Sequence, residues 1–166
     1  MSSQISYKAN KNPIKKKLSF FEGGHQLEKL EFALAIAQTK GDEKKSIFLR
    51  HNKHKLAMSN AAKTLNLKLF ADEQYLSPSI TAVNTEDIDA EEFRKTIKNK
   101  FDILLAGGQD HLKGKIFRVG HLGYINDRDI ITVVSAISNT LVSLGKITAQ
   151  QAGEALVVTS RYLKEN

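Results

Sequence analysis

The spacing of apolar and polar positions divides the chain into a patternless start and a patterned remainder. Residues 1–21 sustain no period and read as an arm. Leu27, Leu30, Leu34 and Ala37 then recur at i, i+3, i+7 and i+10, one face of a helix that Gly41 closes. A longer helix is predicted from about Asp42 to Leu65, with Met58, Ala61, Ala62 and Leu65 as its apolar stripe and an opposite side rich in Lys and His. Lys68–Phe70 reads as a short strand and Tyr75–Ser79 as a loop around Pro78. Ser79–Asn84 alternates as a strand should, with Ile80 and Ala82 on one face and Thr81 and Val83 on the other. Next comes a helix start in which Asp89 can cap, Glu92 can reach back and Ile88 can staple onto Phe93, with an end expected near Lys100.

Phe101–Ala106 is largely apolar and reads as a strand, Gly107-Gly108 as a tight turn and Lys115–Val119 as the returning strand. Asn126 or Asp127 opens the most amphipathic helix. Its Ile130, Val133, Val134, Ile137 and Leu141 keep the helical period although several are β-branched, and Gly145 stops it. Thr148 and Gln151 form a capping box for the last helix, which ends near Lys164. This order predicts an α+β domain over residues 22–166, with a small, mainly antiparallel sheet covered by helices on one face. Nothing in the order is left to cover the other face.

Composition narrows the class. Apolar residues make up 41% and charged residues 26%, as in soluble globular proteins, and 166 residues suffice for one domain with a core. The absence of Cys excludes a disulfide framework and a thiolate metal site, and a cytoplasmic location is expected. No apolar run approaches the roughly 18 residues of a membrane span, and the Lys-rich start lacks the apolar stretch of a secretory signal. The net charge is +7 and the pI about 9.5. Lys8, Lys11, Lys15, Lys16 and Lys17 all precede the first acid, Glu22, so five of the seven charges belong to the arm. A nucleic-acid surface would spread Lys and Arg over a folded face, so a solvated terminus and no nucleic-acid partner are expected.

Four groups of residues are candidates for chemistry. In Ile116-Phe117-Arg118-Val119-Gly120, Arg118 projects from the face opposite Phe117 and Val119, and composition alone makes it a surface arginine. His121 follows at the strand's end and reads as a structural histidine hydrogen-bonded at a turn. His51 and His54 lie three apart on the long helix, but Arg50, Lys53 and Lys55 surround them and no neighbouring acid or Cys completes a shell. A solvated basic helix face is expected there, and no metal site. Gly107-Gly108-Gln109 is shared with peptide-chain release factors and ribosome-rescue peptidyl-tRNA hydrolases, some of them small and basic. There it sits on a flexible loop ahead of a strongly basic tail. Here it continues an apolar strand, and the C-terminus is mixed in charge. No dinucleotide fingerprint, phosphate-binding loop, nucleophile elbow or zinc-protease helix is present.

Phe101-Asp102-Ile103-Leu104-Leu105-Ala106-Gly107-Gly108-Gln109 through Lys115, followed by Arg118-Val119-Gly120-His121-Leu122-Gly123, resembles the C-terminal, small domain of class V pyridoxal-phosphate aminotransferases of the serine– or alanine–glyoxylate/pyruvate type. The likeness is nearest to the cyanobacterial-type members, some of which are labelled soluble hydrogenase small subunit. It extends over about residues 43–163. Phe48-Leu49-Arg50-His51 is similar to the family's long helix into the small domain, Ser77 to Val83 to its Ser-Pro-x-[IVT]-T-A-V strand, and Gly145 to Leu163 to its closing helix.

The resemblance implies the small domain of a fold-type I enzyme, with Arg118 binding the substrate's α-carboxylate. It implies pyridoxal phosphate as cofactor, not held covalently by these residues. The family's cofactor lysine and the acid facing the pyridine nitrogen lie in a large domain with no match here. The N-terminal lysines lack the family's Ser-x-Lys context, and Lys17–Gln26 does not match its Thr-Pro-rich phosphate contact.

Three functions follow. The first is a partial aminotransferase, inactive alone and completed by a cofactor-bearing subunit or a homologous protomer. Its substrates would be a small amino acid and a 2-oxo acid. The second is a non-enzymatic interaction protein, with Phe20-Phe21 as one possible contact. The third is a Gly-Gly-Gln hydrolase, which makes Gln109 matter more than Arg118.

Overall fold

Helix α1 opens the computed structural model, which describes residues 44–164, and runs from Lys44 to Thr64. The expected arm at 1–21, the helix through Leu27–Ala37, Phe20-Phe21 and the 17–26 stretch lie outside the described residues. Asn66 takes a left-handed conformation (φ 57°) just past α1 and turns the chain into β1 (Lys68–Leu69). A single 3-10 turn, Glu73–Tyr75, leads to β2 (Ile80–Asn84). Helix α2 (Ala90–Phe101) begins where Asp89 Oδ1 accepts the amides of Glu91 and Glu92, as its sequence predicts. β3 is Ala106–Gly107 and β4 is Ile116–Gly120. Helices α3 (Asp127–Ser143) and α4 (Ala149–Lys164) complete the order.

The four strands form one antiparallel sheet in the order β1-β2-β4-β3. The pleat sorts their residues. Thr81, Val83, Phe117 and Val119 are buried beneath the helices, whereas Ile80, Ala82 and Arg118 are half-buried and Ala106 is exposed on the opposite face. Phe117 stacks obliquely on Phe93 of α2, ring centres 5.2 Å apart. Met58 and Ala61 of α1, Leu65 just past its end, Ile97 of α2 and Ile130, Val134, Ile137 and Leu141 of α3 fill the same core. α4 packs on α1 and α3. The α+β class and the antiparallel sheet agree with the pattern of the sequence.

The Asn126 cap is a complete capping box: its side chain accepts from Arg128 and Asp129 while Asp129 Oδ2 accepts the Asn126 amide at 2.8 Å. Asn126→Ala is expected to cost about 1 kcal/mol, read as a lower urea midpoint at unchanged slope. Thr148 and Gln151 form the expected reciprocal pair at the start of α4.

One stretch differs from the sequence reading. Phe101–Ala106 is not a strand. Phe101 still belongs to α2, Asp102 closes that helix in a left-handed conformation (φ 55°), and residues 103–105 only connect it to the sheet. The carbonyl of Leu105 is taken by Arg94 Nε at 2.7 Å and not by a neighbouring strand, so pairing begins at Ala106. Gly107-Gly108 is not the turn either. Gly107 pairs with Phe117, and the Gly108 amide still reaches the Ile116 carbonyl. The reversal occurs later, through the 3-10 turn Asp110–Leu112 and Gly114 at φ 75°.

Candidate functional site

Arg118 occupies the middle of β4, flanked by Ala82 on β2 and Ala106 on β3. Both flanking strand neighbours are thus small, and Arg118 is half-buried. Its Nε donates to the Gly107 carbonyl at 2.9 Å. With Nε tied down, the two terminal nitrogens form a fork that has no partner among the described residues. Such a fork matches the two oxygens of a carboxylate.

His121 lies at the end of the same strand and is fully buried. Its Nδ1 faces the Pro78 carbonyl at 3.1 Å, which can only accept, so Nδ1 carries the proton and Nε2 accepts from the Thr81 hydroxyl at 3.0 Å. Its amide bonds Ser79. These three links pin β4 to the Pro78 loop and β2, the structural role read from the sequence. Burial, and then the nearby His54, push its pKa down to about 4.

His51 and His54 correct the sequence reading. They are not on a solvated face: His51 is 8% exposed and His54 0%. Residues 121–127 pack over that side of α1 and bring the acid that the local sequence lacks. Asp127, at the start of α3, accepts from His54 Nε2 and from Lys53 Nζ, both at 2.9 Å. The Gly123 carbonyl accepts from Arg50 Nη2 at 3.2 Å and from His51 Nε2 at 3.4 Å. Burial lowers the pKa of both histidines, and their hydrogen bonds to Gly123 and Asp127 only partly oppose it. Burial pulls Asp127 upward, but its bonds to Lys53 and His54 outweigh that and hold the carboxyl below its usual range. Among the described residues no group of three His, Cys, Asp or Glu side chains is placed to hold a metal ion.

The Gly-Gly-Gln tripeptide is built into the same region. A Cβ on Gly107 would stand 2.4 Å from Arg94 Nη1, and one on Gly108 would stand 2.0 Å from the Leu112 carbonyl oxygen. Close backbone approach explains both glycines without hydrolase chemistry. Gln109 is exposed ahead of the 3-10 turn.

Comparisons with known proteins bear on the family and the fold. A domain family of unknown function (DUF8683) matches residues 25–56. The small subunit of the soluble hydrogenase of Synechococcus sp. is 47% identical over 134 residues, 81% of this chain and 34% of that protein. The serine–glyoxylate aminotransferase of Methylorubrum extorquens is 29% identical over 140 residues, 82% of this chain and 34% of that protein. The crystal structure of the ureidoglycine–glyoxylate aminotransferase of Bacillus subtilis superposes with a TM-score of 0.68 at 26% identity, over 76% of this chain and 33% of that one. The chain is a homologue of the class V aminotransferases. It spans about a third of the length of the curated relatives it matches. No described helix is long and apolar enough to cross a membrane.

Class V aminotransferases use pyridoxal phosphate, whose aldehyde needs a lysine amine. The sheet face around Arg118 offers Ile80, Ala82, Ala106 and Gly120. Lys68 shares the face, but it stands on the edge strand β1 with its amine bonded to Glu86 at 3.1 Å. The described residues therefore place a guanidinium fork on this face without a free amine beside it, and they do not fit a covalently held cofactor.

Proposed function

We propose that this chain is the substrate-side domain of a class V aminotransferase and that Arg118 holds the α-carboxylate of a small amino acid or of its 2-oxo acid product. The reaction is amino transfer to glyoxylate or pyruvate. It proceeds when a cofactor-bearing domain outside these 166 residues, on a subunit or a homologous protomer, closes over the open sheet face. The observation that carries this reading is the guanidinium of Arg118: tethered at Nε, unpaired at its fork and projecting from a face with small neighbours. Pyridoxal phosphate, held by that other domain, supplies the electron sink for the amino-group transfer. This chain's residues supply position. Two parallel hydrogen bonds from Arg118 fix the carboxylate, and with it the orientation of the α-carbon. His121 keeps β4 in register with β2 and gives no proton, because its ring nitrogens are already engaged by Pro78 and Thr81.

This assignment predicts that the purified chain alone, supplied with pyridoxal phosphate, serine or alanine, and glyoxylate, shows no transamination above the protein-free rate. Turnover by the pure chain would refute the half-site reading.

A further inference from the structure

Arg118 is the third member of a relay that starts on another element. Arg94, on α2, donates from Nε to the Leu105 carbonyl at 2.7 Å and from Nη1 to Glu91 Oε1 at 2.8 Å. α2 itself is fixed, with Phe93 and Ile97 in the core and its first turn capped by Asp89. Arg94 therefore grips the backbone where the chain enters β3, a strand only two residues long. Gly107, the second of those residues, packs its α-carbon against the Arg94 guanidinium, and its carbonyl holds Arg118 Nε at 2.9 Å. A two-residue edge strand has little pairing of its own to define where that carbonyl points. The guanidinium of Arg94 supplies the missing constraint from one side, and β4 supplies it from the other.

We propose that Arg94 and Gly107 are positioning residues for Arg118. Arg94 fixes β3, and Gly107, which must lack a side chain to sit on Arg94, presents the carbonyl that aims the Arg118 fork away from the sheet. The proposal rests on the carboxylate role given to Arg118 above and names the residues that set its geometry. Neither Arg94 nor Gly107 touches substrate in this arrangement.

The test reads the Arg118 Nε–H directly, by its exchange with solvent in nitrogen-15 spectra of the full chain, with its signal assigned by its loss in Arg118→Lys. Gly107→Ala forces the Arg94 guanidinium aside and is expected to speed that exchange about threefold to tenfold, the factor for one hydrogen bond. Arg94→Ala is expected to do the same. Gly107→Ala added to Arg94→Ala is expected to change nothing further, because the methyl group then meets only the Glu91 carboxylate, a partly exposed side-chain end that Arg94 no longer holds and that can swing aside. The backbone amides of Phe117 and Val119 serve as the control for β4 itself, and their exchange is expected to stay constant.

Three results would overturn the proposal: unchanged Nε–H exchange in both single variants, effects that add in the double variant, or β4 amides that accelerate in parallel. The last would mean that the substitutions only loosen the sheet. The exchange is read without substrate. A failed carboxylate role for Arg118 would therefore appear in transamination kinetics and leave this readout intact, whereas a failed relay would leave the kinetics of Arg118→Ala as predicted.

Discussion

Arg118→Ala is expected to lower kcat/KM for the amino acid and for the 2-oxo acid by roughly a hundredfold each in the assembled enzyme, about 2.7 kcal/mol, because two charge-assisted hydrogen bonds are lost together. Both half-reactions lose equally, since donor and acceptor present the same carboxylate to the same fork. Arg118→Lys keeps the charge on a single point and loses the paired geometry, so a loss of about tenfold is expected there. An amine substrate without a carboxylate provides the control. Its turnover should be indifferent to either substitution, whereas an Arg118 that merely supported the sheet would slow every substrate alike. The tether matters to the size of the effect. With Nε already held by Gly107, little side-chain freedom remains to be lost when substrate binds.

The second large effect is a loss of stability in mild acid. The His121 pKa falls from 6.5 in the unfolded chain to about 4 in the folded one. A histidine depressed in this way binds its proton more readily when unfolded. Between those two values the unfolded state therefore carries more protons, and stability falls as the pH falls. About 2.5 pH units correspond to about 3 kcal/mol, a large share of the 5–15 kcal/mol typical of a domain. His51 and His54 are shifted in the same direction and add to the loss. Asp127 acts lower on the scale. Its carboxyl is depressed, so its contribution is present above the usual carboxylate range and disappears only as the pH falls through the folded value. Urea midpoints taken between about pH 7 and pH 4.5 should fall steadily in the wild-type chain and fall less in His121→Gln, whose amide stays neutral. A flat wild-type profile over that range would remove the histidine account.

The two effects meet in the same strand. Arg118 and His121 are three residues apart, one facing the open side of the sheet and the other the buried side of the β2–β4 junction. Protonation of His121 therefore acts on the strand that carries Arg118.

How much of this is legible in the sequence depends on whether the cause is local. The helix caps at Asp89 and Thr148 are local, and the sequence shows both; for α3 it leaves the start between Asn126 and Asp127, and the structure gives the cap to Asn126. The alternation Phe117, Arg118, Val119 is local too, and it correctly turns Arg118 away from the core. Two features are not local. The burial of His51 and His54 depends on Asp127 and Gly123, more than 70 positions away, and the charges adjacent to them in sequence suggest the opposite. The apolar run Phe101–Ala106 reads as a strand because its hydrophobicity is real. Its fate is decided by the left-handed close of α2 at Asp102 and by Arg94 taking the Leu105 carbonyl. One signal was available for that second case. Arg94 stands three residues after Glu91, so a guanidinium held at that point of the helix could have been anticipated. What it reaches could not.

The central claim is that these residues form one half of an amino-transfer site, and the most direct test is the composition and activity of the native assembly. The chain is recovered from its own cells, its native mass is measured, and the recovered species is assayed for transfer of an amino group to glyoxylate. The account predicts a species heavier than 18.5 kDa that contains a lysine-bound pyridoxal phosphate. It also predicts that the species transaminates, and that replacing Arg118 by alanine in this chain abolishes most of that activity. A lone 18.5 kDa chain, or an assembly whose transamination is indifferent to Arg118, would contradict it.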